Sequence, residues 1–154
     1  MTGSNRQILL LGDYDYDYPR EKLLRRGFES VDATIHECRF SGTSRFIGIW
    51  KILLLPLFLF RIHRRMSEIR GSNVEIDALV LTKFNPLLLP TAAYYAWRFD
   101  CRLVYDLFVS LYRTAEMRDV HPSIVRGLAL LERIVLRLPD DLLVGTNQFI
   151  DLYS

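Results

Sequence analysis

Short apolar runs, separated by polar segments, dominate the hydrophobic pattern of this chain. Five of these runs are typical of buried strands, because they are brief and rich in leucine or β-branched residues. They lie at residues 7–12, 33–38, 78–83, 102–107 and 142–146. Strands that are apolar along most of their length indicate a sheet covered on both faces, and such sheets are usually parallel.

Helical segments separate the predicted strands. Residues 19–27 begin with Pro19 and end with cations before Gly27, and these are favourable start and stop signals for a helix. Residues 86–98 and 122–138 are predicted helices as well, and the second has the clearest helical apolar period. The alternation of strand and helix predicts an α/β fold, an open and mostly parallel sheet with helices on both faces.

Residues 45–70 depart from this pattern, since a long apolar run is followed there by a basic cluster. The run is shorter than the roughly 20 apolar residues that cross a bilayer, and Pro56 interrupts it. It fits either a helix that covers one face of the sheet or a helix that lies in the plane of a membrane. For a membrane helix the predicted contacts are Trp50, Lys51, Phe58, Phe60, Arg61, Arg64 and Arg65.

Composition narrows the class of protein. The 154 residues suffice for one domain with a sizeable core, and we expect residues 1–154 to form it. A net charge of +2 is too small to argue for a nucleic-acid partner. Cys38 and Cys101 match no metal-binding spacing, and no secretory leader is apparent. We therefore expect a reducing, cytoplasmic compartment and neither a metal nor another cofactor.

The loop after the first predicted strand alternates aspartates with tyrosines, GDYDYDYP at residues 12–19. In an open parallel sheet, such a loop borders the crevice where ligands bind. Three carboxylates have the wrong charge for a phosphate site, and a metal site has only weak support from the spacing. Two interpretations remain. The loop binds the hydroxyl groups of a sugar, or its carboxylates favour the positive end of the next helix, with Asp17 as the cap.

A second candidate loop follows the fourth predicted strand, which Asp106 helps to end. Ser110, Tyr112 and Thr114 come soon after it in the sequence VYDLFVSLYRT. A carboxylate at this position could orient a substrate hydroxyl or act as a weak base. It could equally bind backbone N–H groups of a turn. Asp106 is the best candidate for a catalytic residue.

Four stretches together resemble the N-terminal half of retaining glycosyltransferases of family 4, which have the GT-B fold. They are ILLLGDYDYDYPREKLLRRGF, VYDLFVSLYRT, LALLERIVLRLPDDLLVGT and NQFIDLYS, and they occur in the order and spacing of that family. The resemblance implies a Rossmann-like domain that binds the acceptor, a glycan or glycolipid. It also implies a second domain that binds the nucleotide-sugar, and catalysis between the two domains without an obligatory metal.

The resemblance implies a set of acceptor-cleft residues in this chain. They are Asp13, Tyr14, Arg20, Asp106, Ser110, Tyr112, Arg113 and Thr146. Arg113 and Gly145 replace aspartates of the family pattern, and Phe108 lies near the place of a catalytic histidine.

The residues that hold the nucleotide-sugar in this family have no counterpart in the 154 residues. We therefore expect the acceptor-binding half of a membrane-associated glycosyltransferase, peripheral at the inner face of the membrane and inactive without its donor-binding domain. The alternative is a non-catalytic interaction module that docks a partner or the membrane through residues 45–65. A nucleotide-binding enzyme of another type has little support, because the chain lacks a glycine-rich loop.

Overall fold

Five strands build the sheet of this protein. The computed structural model describes residues 5–12, 17–39, 55–82, 86–107 and 110–144. The strands are β1 (Gln7–Gly12), β2 (Thr34–Arg39), β3 (Ala78–Leu81), β4 (Arg102–Leu107) and β5 (Asp141–Val144). Their order across the sheet is β2-β1-β3-β4-β5, and every neighbouring pair is parallel. The predicted α/β, Rossmann-like open sheet is thereby confirmed.

Helices connect the strands. They are α1 (Pro19–Glu29), α2 (Leu55–Gly71), α3 (Leu89–Phe99), α4 (Leu111–Glu116) and α5 (Pro122–Val135), and a short 3₁₀ turn, Pro86–Leu88, precedes α3. The last helix ends three residues before the predicted boundary at residue 138. Within the predicted segment 45–70, the part from residue 55 onward is helical and residues 45–54 lie outside the described ranges.

The two faces of the sheet have separate cores. Alternate strand residues such as Leu9, Leu79 and Leu103 point to one face, where α2, α3 and α5 cover them in the larger core cluster. The intervening residues Ile8 and Val80 belong to a smaller cluster, against which Phe28 of α1 packs. Three helices therefore form a layer on one face of the sheet, while α1 lies on the other.

The side chains of α2 divide between core and solvent. Phe58 is only 8% exposed and packs in the larger core with Ile62 and Met66, which corrects its predicted membrane contact. Arg65 is tied to the sheet, because its Nε donates to the main-chain oxygen of Glu37 at 3.2 Å. The remaining predicted contacts in the described ranges, Phe60, Arg61 and Arg64, are exposed, whereas Trp50 and Lys51 lie outside those ranges. No helix in the described part of the chain is long and apolar enough to cross a membrane.

Gly12 ends β1 at a point where only glycine fits. Its φ of +153° is unusual for residues with a side chain, and a Cβ atom there would lie 2.7 Å from the main-chain oxygen of Thr82 and closer still to its hydroxyl. The amide of Thr82 also donates to the carbonyl oxygen of Leu11 at 2.9 Å. The ends of β1 and β3 therefore approach each other closely.

We expect Gly12→Ala to lower the free energy of unfolding by about 2–4 kcal/mol, through backbone strain and overpacking. Urea denaturation of the two proteins measures this difference. Gly27→Ala in α1 is the matched control, since a Cβ there meets nothing within 4 Å. That control should be stabilising by about 0.5–1 kcal/mol, because alanine favours helix. Equal stability of the Gly12→Ala variant and the wild type would contradict the close approach.

The two cysteines have thiol groups with raised pKa values. Burial raises the pKa of Cys38 to about 12 and the pKa of Cys101 to about 11. A thiol whose pKa is raised by folding contributes stability that is fully present below its unfolded pKa, and that stability is lost as the pH rises.

The free energy of unfolding should therefore fall as the pH rises from about 9, the ordinary value, toward 11. The double variant Cys38→Ala, Cys101→Ala should show a shallower fall over the same range. Urea denaturation at a series of pH values gives both slopes. Identical slopes would mean that the buried thiols do not cause the decline.

Candidate functional site

The carboxyl edge of the sheet contains a topological switch point between β1 and β3. From β1 the chain moves outward to β2, and then returns past β1 to β3 on its other side. In parallel sheets, ligands bind in the crevice outside the strand ends at such a point. The loops at residues 13–16 and 83–85 follow these two strands and lie outside the described ranges. The predicted roles of Asp13 and Tyr14 therefore stay predictions.

An ion pair between Arg20 and Asp106 joins two elements at this edge. The Nε of Arg20 donates to both carboxylate oxygens of Asp106, at 3.0 and 3.1 Å, and its Nη2 donates to Oδ1 as well. Asp106 is 3% exposed, while about a quarter of the Arg20 side chain is accessible. The hydrogen bond with Asp106 raises the pKa of the Arg20 guanidinium, and burial opposes that rise. A planar guanidinium that donates hydrogen bonds to both oxygens fixes the orientation of the carboxylate.

Local structure explains why these two residues meet. Helix α1 starts with Pro19, so Arg20 lies in the first helical turn, beside the carboxyl ends of the strands. Asp106 is next to last in β4 and points to the face of the sheet that α1 covers, since the alternating Leu103, Tyr105 and Leu107 belong to the opposite core. The sequence therefore places a cation and an anion on the same face from residues 86 positions apart.

The predicted helix cap at Asp17 is not observed. Tyr18 occupies the cap position of α1, without a side-chain hydrogen bond to the helix. The exposed carboxylate of Asp17 instead lies 3.3 Å from Nζ of Lys22. Proline at the first position leaves no N–H there to be capped, which lessens the need for a side-chain acceptor.

A buried glutamate that the sequence analysis did not single out organises the second loop. Glu132 of α5 is 2% exposed, and its Oε2 accepts hydrogen bonds from the Ser110 hydroxyl at 3.1 Å and from the amides of Leu111 at 2.8 Å and Tyr112 at 3.3 Å. Ser110 is completely buried and accepts from the amide of Arg113 as the cap of α4. The carboxylate thus holds the start of α4 against α5.

The remaining cleft candidates lie around α4. Arg113 is exposed, and its guanidinium lies 5.4 Å from the centre of the Tyr112 ring and 3.0 Å from the carboxylate of Glu116. The hydrogen bond with Glu116 raises the pKa of Arg113. Thr146, together with Gly145 and Phe108, lies outside the described ranges. Arg20 and Asp106 are thus the two predicted cleft residues that the structure joins by a direct ion pair.

The side chains in the described ranges include no group of three or more His, Cys, Asp or Glu that could hold a metal ion. Comparison of the chain with protein-family models, curated proteins and solved structures gives no match. The candidate site is therefore defined by its own geometry: a topological switch point, the ion pair of Arg20 with the buried Asp106, and the start of α4 anchored by Glu132.

We expect Glu132→Ala to lower the free energy of unfolding by about 2–4 kcal/mol, because it leaves one hydroxyl and two amide donors without their acceptor. Thermal or urea denaturation measures the loss. Glu132→Gln should be milder, since its amide oxygen can still accept. Glu116→Ala, on the exposed side of α4, is the control and should change stability little. A Glu132→Ala variant as stable as this control would show that the anchor is dispensable.

Proposed function

We propose that this chain is the acceptor-binding half of a glycosyltransferase that moves a sugar from a nucleotide-sugar to a glycan or a lipid-linked acceptor. The single observation that carries the proposal is the buried Arg20–Asp106 pair at the carboxyl edge of the switch-point sheet. Both residues come from stretches whose sequences resemble the acceptor half of retaining GT-B glycosyltransferases. Catalysis would require a donor-binding domain that closes over this edge.

The ion pair supports a positioning role for Asp106 more than a role as general base. Both of its oxygens already accept hydrogen bonds from Arg20, and the carboxylate is buried. Oδ1 accepts from both Nε and Nη2 of Arg20, whereas Oδ2 accepts from Nε and has a second lone pair that can accept a hydroxyl proton of an acceptor. In the proposed function, Arg20 and Asp106 fix the floor of the acceptor crevice, while the contacts predicted for Asp13 and Tyr14 lie outside the described ranges.

The test is sugar transfer by this chain together with its donor-binding domain, on the same polypeptide or as a separate subunit, with a panel of labelled nucleotide-sugars and extracted glycans and lipids as acceptors. We expect Asp106→Asn and Arg20→Gln each to lower kcat/KM about 100-fold, since small misplacements at a reacting centre have effects of this size. Asp141→Asn is the matched control, because Asp141 pairs with Arg102 at 3.0 Å at the opposite edge of the same sheet face.

Loss of folding must be separated from loss of function, since breaking one half of a buried ion pair is destabilising by about 3–5 kcal/mol. The double variant Arg20→Met, Asp106→Leu replaces the pair by apolar groups and should fold. We expect this variant to fold and to be inactive. Full activity of the folded double variant would exclude a role of the pair in transfer. Absence of transfer by the wild-type two-domain protein with every donor would favour the non-catalytic interaction module.

A further inference from the structure

The helices α2, α3 and α5 present one common outer surface. All three pack on the same face of the sheet, through buried residues such as Ile62, Ala92 and Val135. Their opposite sides therefore point in one direction, away from the sheet. We call this the outer helical surface, and its apolar members are Leu57, Phe60, Leu87, Tyr94, Trp97, Leu130 and Ile134.

Several of the apolar members are largely exposed. Trp97 is 74% exposed, and Phe60 and Leu130 are each more than 60% exposed. The rings of Tyr94 and Trp97 lie together on α3, with 6.2 Å between their centres. Single exposed apolar residues are ordinary on protein surfaces, but a group on one side marks a site of contact with another apolar phase or molecule.

The charged members of the same surface are nearly all basic. Residues 55–71, 89–99 and 122–137 contain eight arginines and two glutamates. The arginines are Arg61, Arg64, Arg65, Arg70, Arg98, Arg126, Arg133 and Arg137. Arg65 is turned toward the sheet, where it donates to the main-chain oxygen of Glu37. Of the two glutamates, Glu132 is buried and Glu68 is paired with Arg64 and Arg65. The outward charge of this layer is therefore positive.

On the other face of the sheet, three of the four cations of α1 are paired, and Arg26 is exposed. Arg20, Lys22 and Arg25 of α1 each form an ion pair with a carboxylate. Among the described residues, no carboxylate pairs with Arg98, Arg126 or Arg133 of the helical layer. The two faces thus differ in the charge that they offer to a partner.

We propose that the outer helical surface binds an anionic lipid bilayer, with α2, α3 and α5 lying parallel to the membrane plane. Exposed Leu, Ile and Phe side chains require an apolar phase, Trp and Tyr favour the headgroup boundary, and arginines bind lipid phosphates. A nucleic acid would satisfy the arginines but would leave Leu130 and Ile134 in water. A second copy of the chain would bring two basic surfaces together. The bilayer meets both requirements.

This assignment extends membrane contact to α3 and α5, well beyond residues 45–65. Helices that connect parallel strands start at the carboxyl edge of the sheet, so Leu57, Phe60 and Leu87 lie at the end of the layer nearest the crevice. A lipid-borne acceptor would then have to pass the carboxyl edge of the sheet, because Arg20 and Asp106 lie on the face that α1 covers. That last step rests on the proposed function, whereas membrane binding itself does not.

The experiment is flotation of the full chain with vesicles of phosphatidylcholine, with and without phosphatidylglycerol, at low and high salt. The wild type should float with the anionic vesicles, and less so at high salt. The triple variant Arg98→Gln, Arg126→Gln, Arg133→Gln should lower the partition coefficient on the order of 100-fold, at about fivefold for each arginine. The double variant Trp97→Ala, Leu130→Ala should lower it at least tenfold, through loss of buried apolar area.

The matched control changes the same residue types on the other face of the sheet. Leu23 of α1 is 72% exposed and Arg26 is exposed, so Leu23→Ala, Arg26→Gln should float as the wild type does. All of these substitutions are on the surface, and circular dichroism with urea denaturation establishes that the variants fold. The flotation assay does not depend on sugar transfer. A failure to bind vesicles therefore leaves the proposed glycosyltransferase function unaffected, and a failure of sugar transfer leaves membrane binding unaffected.

Three results would overturn the proposal. The wild type could fail to float with anionic vesicles, the α3 and α5 variants could float unchanged, or the α1 control could lose binding equally. If the wild type does not float but forms dimers or binds DNA, and the same variants abolish that binding, the surface belongs to another partner.

Discussion

The buried ion pair between Arg20 and Asp106 is the constraint on which the carboxyl edge of this protein depends. It is an ion-pair link between the start of α1 and the end of β4, which lie on the same face of the sheet but are not neighbours in sequence. Removing Arg20 would leave the buried carboxylate of Asp106 without its charged partner, at a cost of about 3–5 kcal/mol. The pair thereby fixes the start of α1 against the end of β4 at the carboxyl edge of the sheet.

The sheet could be predicted because its strands carry an unambiguous signal. Stretches such as ILLLG and ALVL are apolar on both faces, which indicates burial on both sides of the sheet. The segments between the strands are too long for tight hairpin turns and long enough for helical crossovers, so they favour parallel strands. The role of Glu132 could not be predicted in the same way. Its position on the apolar side of α5, near Leu128 and Val135, was a visible anomaly, but its partners in α4 depend on how two helices pack.

Helix α2 shows where periodicity fails. Every residue from 55 to 60 is apolar, so the pattern gives no sign of which side faces the sheet. Phe58 and Phe60 are two positions apart and thus about 200° apart around a helix. In the structure, Phe58 packs in the core and Phe60 is exposed to solvent. The run 55–60 alone predicts burial for both, whereas Ile62 and Met66 continue the helical stripe of Phe58 and mark its side as the buried one.

The net charge of +2 conceals how charge is distributed in this protein. That sum includes a sheet face where Arg20, Lys22 and Arg25 are paired with carboxylates, and a helical layer whose charge is mostly basic. Long-range attraction acts on each face separately, because at physiological salt the Debye length is about 8 Å, less than the thickness of a domain. A partner with negative charge that approaches the helical layer therefore meets a basic surface, although the net charge of the whole chain is small.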